Sequence, residues 1–339
     1  MMTGADGRKL ADQVSGLIGW RVSSVIPVLR GSNNRVFQLV GEGQRALLKF
    51  YAAPEAGRQD RLSQEYAAHE FLAGLGFGEV AQPIAADPKR HCAVYAWIDG
   101  TGISPDDVGE AEIDELADFF IRLQEVRQRN GASALGPASA SCFSPAMVAE
   151  QVETRLCRLV AAVAAGTDIA AFIAGSLKPA ATEAVAQLQA GCKAAGISFT
   201  DSLDPAARVL SPSDFGTHNA LRRPGGRLAF VDFEYFGWDD PAKAIADVML
   251  HPGMSLTEEL GRRYRARVEQ ALQASDPMLP RRLEIFFPAM VVLWCLILLN
   301  EFLPERWDRR VLAGVTRERE VIQARQLEKS RELLMRRFA

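Results

Sequence analysis

Asp214 and Asn219 lie in the stretch 211–219, Ser-Pro-Ser-Asp-Phe-Gly-Thr-His-Asn, five positions apart in a loop between two short runs of strand character. Asp232 follows thirteen positions after Asn219, at the end of a third such run. A β-hairpin spans that separation and returns Asp232 beside Asn219. Two oxygen side chains brought together in this way suit Mg²⁺, which prefers hard oxygen ligands and completes its shell with phosphate oxygens and water. Lys49 stands inside the apolar run 47–50, where an ammonium is costly unless paired. Glu65, on the following helix, is a partner for it, with Glu70 as a competitor on the same helix. In the turn 30–35, the backbone N–H groups around Gly31, Ser32 and Asn33 can cap phosphates. Together these residues supply a cation for phosphates, oxygens for a metal and a carboxylate near an attacking hydroxyl, which are the parts that phosphoryl transfer needs.

Such residues work only if the chain holds them in place, and the patterning shows how. The runs 21–29, 35–40 and 45–51 are rich in β-branched and aromatic residues and are separated by Gly- and Asn-rich turns, which predicts an antiparallel meander. Residues 55–75 carry apolar positions at helical spacing, and 81–86 and 92–98 read as two further strands. A helix over 7–19 precedes the meander. The break at Asp99-Gly100-Thr101-Gly102 marks a lobe boundary near residue 98. Beyond it the chain reads as mainly helical, over 111–129, 145–165, 168–174, 179–195, 242–250, 256–274, 280–303 and 312–337. Short strands interrupt at 208–210, 220–222 and 228–233. Because the strands and the helices are segregated along the chain, an α+β fold is expected over a doubly wound one. The expectation is an N-terminal nucleotide-binding lobe, 1–98, of five antiparallel strands and a helix. A helical C-terminal lobe, 99–339, then carries the catalytic loop and metal site.

Composition narrows the function classes. The formal charge of -3 and pI of about 5.9 give no basic surplus, so a nucleic-acid partner is not expected. The apolar run 285–299 is shorter than the roughly 20 residues of a spanning helix and contains Pro288, so a buried core helix is expected and no membrane span. Five cysteines at wide spacings, with no C-x-x-C pair, fit reduced thiols and a cytoplasmic setting. His69, His91 and His251 show no ligand spacing and read as satisfied or exposed histidines. Glu234 is either a further metal-site residue or an ordinary surface carboxylate, and His218 has no assigned role. Asp247 reads as a structural anchor, and Asp106, Asp107, Asp239 and Asp240 are either acceptor-binding or surface carboxylates.

The ordered set Gly31-Ser32-Asn33, Lys49, Glu65, Asp214…Asn219 and Asp232 resembles the aminoglycoside phosphotransferase and choline kinase family, over about 22–252. Asp232-Phe233-Glu234-Tyr235 is especially similar to the choline kinase branch. The resemblance implies a protein-kinase-like two-lobed fold and transfer of the γ-phosphoryl group of ATP, with Mg²⁺, to a hydroxyl of a sugar, amino sugar or amino alcohol. It implies that Asp214 orients and helps deprotonate the acceptor, that Asn219 and Asp232 ligate Mg²⁺, and that Lys49, set by Glu65, contacts the α- and β-phosphates. The backbone of Ala96, Trp97 and Ile98 would bind the nucleobase, with Trp97 or Tyr95 lining that pocket. The family loop usually opens His-Gly-Asp, where this chain has Pro212-Ser213-Asp214. That departure motivates a second reading, a kinase-like nucleotide-binding scaffold without turnover.

Overall fold

The computed structural model describes residues 4–28, 34–54, 59–307 and 318–336. They form two compact units that interleave along the chain. The first takes in the described residues of 1–107 with Glu125–Ser139 and Pro212–Gly237, and the second the described residues of 108–124, 140–211 and 238–339. A single cut at residue 98 therefore does not describe these units. The loop bearing Asp214 and the hairpin bearing Asp232 cluster with the first unit rather than with the chain beyond 98. Backbone contacts explain this. Residues Thr101–Gly102 pair with Leu221 and Arg222, Phe230 N–H donates to Glu79 O at 2.8 Å, and a methyl added at Gly237 would lie 2.4 Å from Gly136 O.

In the first unit, β1 (Ser24–Pro27), β2 (Arg35–Gly41), β3 (Gln44–Phe50), β4 (Pro83–Asp87) and β5 (Cys92–Ala96) form one sheet in the order β1-β2-β3-β5-β4. Every pairing is antiparallel. The expected strand over 21–29 is regular only over Ser24–Pro27; Pro27 is tolerated on this edge strand, and Val28 N–H still donates to Val36 O at 2.9 Å, while residues 29–33 lie outside the described part. Strand periodicity gives the sheet two faces. Phe37, Leu39, Ala46, Leu48 and Val94 pack in one cluster with Ala11 and Val14 of α1 (Gly4–Ile18). Tyr51, Ala93 and Tyr95 pack on the other side with Leu62 of α2 (Arg61–Gly74), joined by Leu47. Lys49 is in phase with Leu47 and Tyr51, so alternation sends it to the α2 side. The buried stripe of α2 is Leu62, Glu65, Ala68, His69 and Leu72, and Glu65 is thus the carboxylate that helical spacing places toward the sheet.

The second unit is helical around Leu279–Leu298, a helix continued by a 3₁₀ turn to Phe302. This stretch of 24 residues is long and apolar enough to cross a membrane, which the sequence estimate of fifteen missed, but 78% of its most apolar window is buried inside the protein. The helices Asp168–Phe172 and Lys178–Ala195 are joined by a π turn, Ile173–Leu177. Pro179, which cannot donate, sits at the start of the second helix, where its missing N–H costs little. Asp239 and Asp240 are fully buried and paired, so they are not surface sites for an acceptor. Asp239 and Asp247 hold Lys243 at 3.0 and 2.6 Å, and Asp240 accepts from Arg282 at 2.8 Å. Asp247 also accepts from the indole of Trp294 at 3.0 Å, which makes it a keystone of this helical core. Asp106 and Asp107 are exposed on a 3₁₀ turn.

Acid should loosen this unit through Asp114. Hydrogen bonds from Arg263, then from Arg267, hold its carboxyl down to about 2. A carboxylate lowered from its ordinary value of about 3.9 contributes stability that is complete above that value and is lost as pH falls toward 2. Urea midpoints measured between about pH 4 and pH 2 should therefore fall more steeply for the native chain than for Asp114→Asn. Equal slopes would show that the Arg263–Asp114 pair contributes nothing to folding.

Candidate active site

Lys49 is 5% exposed and its ammonium is surrounded by acid. Its Nζ donates to Glu65 Oε2 at 2.6 Å and to Asp232 Oδ1 at 2.6 Å, and lies 3.9 Å from Glu234 Oε2. Burial opposes the charge, but Asp232, Glu65 and Glu234 outweigh it and hold the ammonium well above its ordinary range. Burial works against Glu65 as well, yet Lys49 and then His69 keep its carboxyl down at about 2. Glu70, the competing partner, is exposed. The second oxygen of Glu65 accepts from Phe233 N–H at 3.2 Å. One helix carboxylate therefore fixes both the lysine and the backbone next to Asp232. Of the two alternatives for His69, satisfied or exposed, the first holds: it is buried and Nδ1 lies 2.8 Å from Ala81 O.

The strand expected over 228–233 ends at Phe230, and Asp232 takes a left-handed φ of 68°. Asp232 and Glu234 accordingly do not share a strand face. A turn, closed by Phe236 N–H on Phe233 O at 3.0 Å, brings both toward Lys49 instead. Glu234 is 1% exposed and accepts from Asn34 Nδ2 at 2.6 Å and from Arg61 at 3.1 Å. It is a buried, paired carboxylate, and the surface alternative is excluded. Neither Asn34 nor Arg61 was singled out in the sequence, although Arg61 lies one helical turn before Glu65 and so on its face.

The loop 212–219 folds onto itself. Asp214 N–H donates to Pro212 O at 2.9 Å and Asn219 N–H to Gly216 O at 3.1 Å. Asn219 Nδ2 donates to Asp214 O at 2.9 Å, so the amide nitrogen is engaged within the loop. The hairpin works as expected: Ala220 pairs with Phe230 and Val231 N–H donates to Asn219 O at 2.9 Å, so Asp232 follows directly on Asn219's neighbour. His218 Nε2 stands 3.0 Å from Asp214 Oδ1. Ser213 has a φ of 67°, in the left-handed region that glycine tolerates best. Ser213→Gly should therefore fold at least as well as the native chain, whereas Ser213→Val should lose about 1–3 kcal/mol of unfolding free energy in urea. A harmless valine would mean that the loop relaxes out of this conformation.

The charge inventory fits a cation. Three carboxylates, Glu65, Asp232 and Glu234, share two cations, Lys49 and Arg61. Burial, with the added push of Glu234 and Glu65, raises Asp232 to about 7 despite the pull of Lys49. The carboxylates crowd one another, and their oxygens are the hard donors that Mg²⁺ takes. The segment expected to receive a nucleobase is partly committed: Ala96 N–H donates to Gln82 O at 2.8 Å within the sheet, so it is not available to a ligand. Trp97 Nε1 donates to Asp99 Oδ1 at 3.1 Å, and Asp99 also binds Arg45 through both oxygens at 2.6 Å. Ile98 packs as a partly buried side chain against the Tyr51–Tyr95 cluster. Gly31, Ser32 and Asn33 lie outside the described residues.

An antiparallel sheet with a buried, acid-paired lysine on its third strand, followed by a large helical part, is the framework of the kinase-like folds, and this chain has that fold. More particularly, its residues 24–285 match the phosphotransferase enzyme family, to which the chain belongs. Solved structures of similar fold include a spectinomycin phosphotransferase in complex with ADP and spectinomycin, with TM-score 0.64 and 13% identity, over 98% of this chain and 97% of that one. A choline kinase from Streptococcus pneumoniae gives 0.61 and 15%, over 97% and 98%. A choline/ethanolamine kinase family protein from Mesorhizobium loti gives 0.60 and 16%, over 98% and 95%. No curated protein matches the sequence.

Proposed function

We propose that this phosphotransferase uses ATP to phosphorylate a hydroxyl group of a small molecule, an amino alcohol, sugar or amino sugar. The observation that carries the reading is the Lys49–Glu65–Asp232 cluster: a buried ammonium pinned by a helix carboxylate and touching an acid in the turn just beyond the hairpin strand that ends at Phe230. Lys49 is placed to bind phosphate oxygens, and Glu65 keeps it extended and charged. Asn219 and Asp232 would hold Mg²⁺, which when bound neutralises charge on the triphosphate. Asp214 takes the proton of the acceptor hydroxyl as its oxygen bonds to the γ-phosphorus, and the bond from that phosphorus to the bridging oxygen breaks to release ADP. Little covalent work falls to the protein, so positioning and charge neutralisation supply the catalysis.

The acceptor class draws on the relatives of similar fold, whose names record choline, ethanolamine and spectinomycin as substrates. The scaffold reading rests on Pro212 at the start of the loop, but Lys49 keeps its bonds to both Glu65 and Asp232, which favours turnover. The test is a panel of amino alcohols, sugars and amino sugars incubated with Mg·ATP and assayed for phosphorylated product, with Asp214→Asn as the blank. Product from the native chain alone supports the reading. Mg·ATP binding without product across the panel, and without ADP release, would favour the scaffold.

A further inference from the structure

We propose that Arg61 is a positioning residue for Asp232. From the first turn of α2 it holds the turn that carries this metal-site carboxylate, so that one helix face sets both the lysine and the metal ligand. The inference rests on the phosphotransferase reading of the same site, and all its residues belong to the first unit. Arg61, Gln64 and Glu65 are three and four positions apart and so share a face of α2. Each of the four residues after Asp232 takes a contact from that face. Phe233 N–H donates to Glu65 Oε1 at 3.2 Å, and Glu234 Oε1 accepts from Arg61 Nη1 at 3.1 Å. The Arg61 guanidinium lies 5.0 Å from the centre of the Tyr235 ring, and Gln64 Nε2 donates to Phe236 O at 2.6 Å. His69, one turn beyond Glu65, packs edge-on to Phe233 with ring centres 5.2 Å apart. Arg61 alone serves both Glu234 and Tyr235.

The turn needs an outside hold. Asp232 sits at a left-handed φ of 68°, beyond the strand that ends at Phe230, and a residue in that region keeps its conformation only where its surroundings impose it. Phe236 N–H on Phe233 O at 3.0 Å closes the turn, but that bond sets neither its tilt nor its distance from Lys49. The ties to α2 do, because Glu65 on the same face accepts from Lys49 Nζ at 2.6 Å. Arg61 also acts through charge. Glu234 is 1% exposed, and its Oε2 lies 3.9 Å from Lys49 Nζ. With Arg61 on Oε1 and Asn34 on Oε2, Glu234 is engaged, and the ammonium stays on Asp232 at 2.6 Å. Without Arg61, Glu234 competes with Asp232 for Lys49, and the ammonium and the metal-site acid both leave their places.

Two measurements on the full chain test this. In the first, ATP is titrated into the protein by calorimetry over a series of free Mg²⁺ concentrations. Arg61→Ala should raise the free Mg²⁺ needed for half-maximal ATP affinity by about 10–100-fold, the usual cost of removing a residue that orients a metal ligand. That substitution leaves Glu234 buried with less charge to meet it, so Arg61→Ala/Glu234→Gln is made as well. The double variant removes the stranded carboxylate, keeps the fold and should show the same rise. In the second, hydrogen exchange is followed amide by amide. Phe233 and Phe236 should exchange about tenfold faster in both variants, while the amides of β2, β3 and β5 keep their native protection. A merely structural Arg61 would instead lower the melting temperature and speed exchange throughout the sheet, with the Mg²⁺ requirement unmoved. The proposal is overturned if the double variant keeps the Mg²⁺ requirement within about twofold of native, or if its Phe233 and Phe236 amides exchange at the native rate. A native chain that binds no ATP at any Mg²⁺ concentration refutes the phosphotransferase reading, and the inference with it. Metal-dependent ATP binding shared alike by the native chain and the double variant refutes the inference alone.

Discussion

Asp214→Asn is expected to lower turnover by about 10²–10⁴-fold, the range that a positioned general base supplies, while Mg·ATP binds as it does to the native chain. Asparagine has the same shape and keeps the main-chain bonds that Asp214 makes to Pro212 O and Asn219 Nδ2. Its amide oxygen still accepts from His218. What it cannot do is take a proton. The loss should fall on kcat, and KM for the nucleotide should hold, because the affected interaction exists only as the hydroxyl attacks. Steady-state rates with Mg·ATP and an acceptor from the panel read both quantities. Unaltered kcat would show that the base lies elsewhere.

Lys49→Met is expected to cost about 3–5 kcal/mol of folding stability, the range for removing one partner of a buried ion pair, and to abolish nucleotide binding. Methionine matches the length of the lysine stem, so the packing against Tyr51 and Leu47 is roughly kept and the lost charge dominates. Glu65 is 2% exposed and depends on Lys49 to stay ionised. Without the ammonium, burial favours its protonated form and raises its pKa above the unfolded value. A group raised in this way contributes stability at low pH and loses it as pH rises. The deficit of Lys49→Met should therefore be smaller at pH 5 than at pH 8 in urea unfolding, and Glu65→Gln added to it should restore part of the loss. A variant as stable as the native chain would mean that water, not the lysine, neutralises this carboxylate.

The sheet and the lysine–glutamate pair were legible because both are written in local periodicity. Alternation in 45–51 puts Lys49 on the face of Leu47, and helical spacing puts Glu65 among Leu62, Ala68 and Leu72. The hairpin joining Asn219 to Asp232 was legible from its length. Features set by turns were not. The left-handed φ of Asp232 ends its strand early, and no residue type there announces it. The same holds for Asn34 and Arg61: Glu234 meets them across 200 and 173 positions, and no local pattern encodes such distances. Asp239 and Asp240, read as either acceptor-binding or surface acids, are neither: Lys243 and Arg282 pair them in the core, and composition does not distinguish a solvated carboxylate from a buried, paired one. The discontinuous first unit was likewise hidden, because it depends on a backbone approach between Gly136 and Gly237 a hundred residues apart.

Binding of Mg·ATP to the native chain and to Asp232→Ala, each titrated by calorimetry with and without Mg²⁺, decides the assignment on which the rest stands. The native chain should bind only when the metal is present, and at about 100 times Kd the ligand should add about 2.7 kcal/mol to its stability. Asp232→Ala should lose both the metal dependence and most of the affinity. Metal-dependent binding of equal strength in the two proteins would remove Asp232 from the cation site and end the case built around Lys49, Asn219 and Asp214.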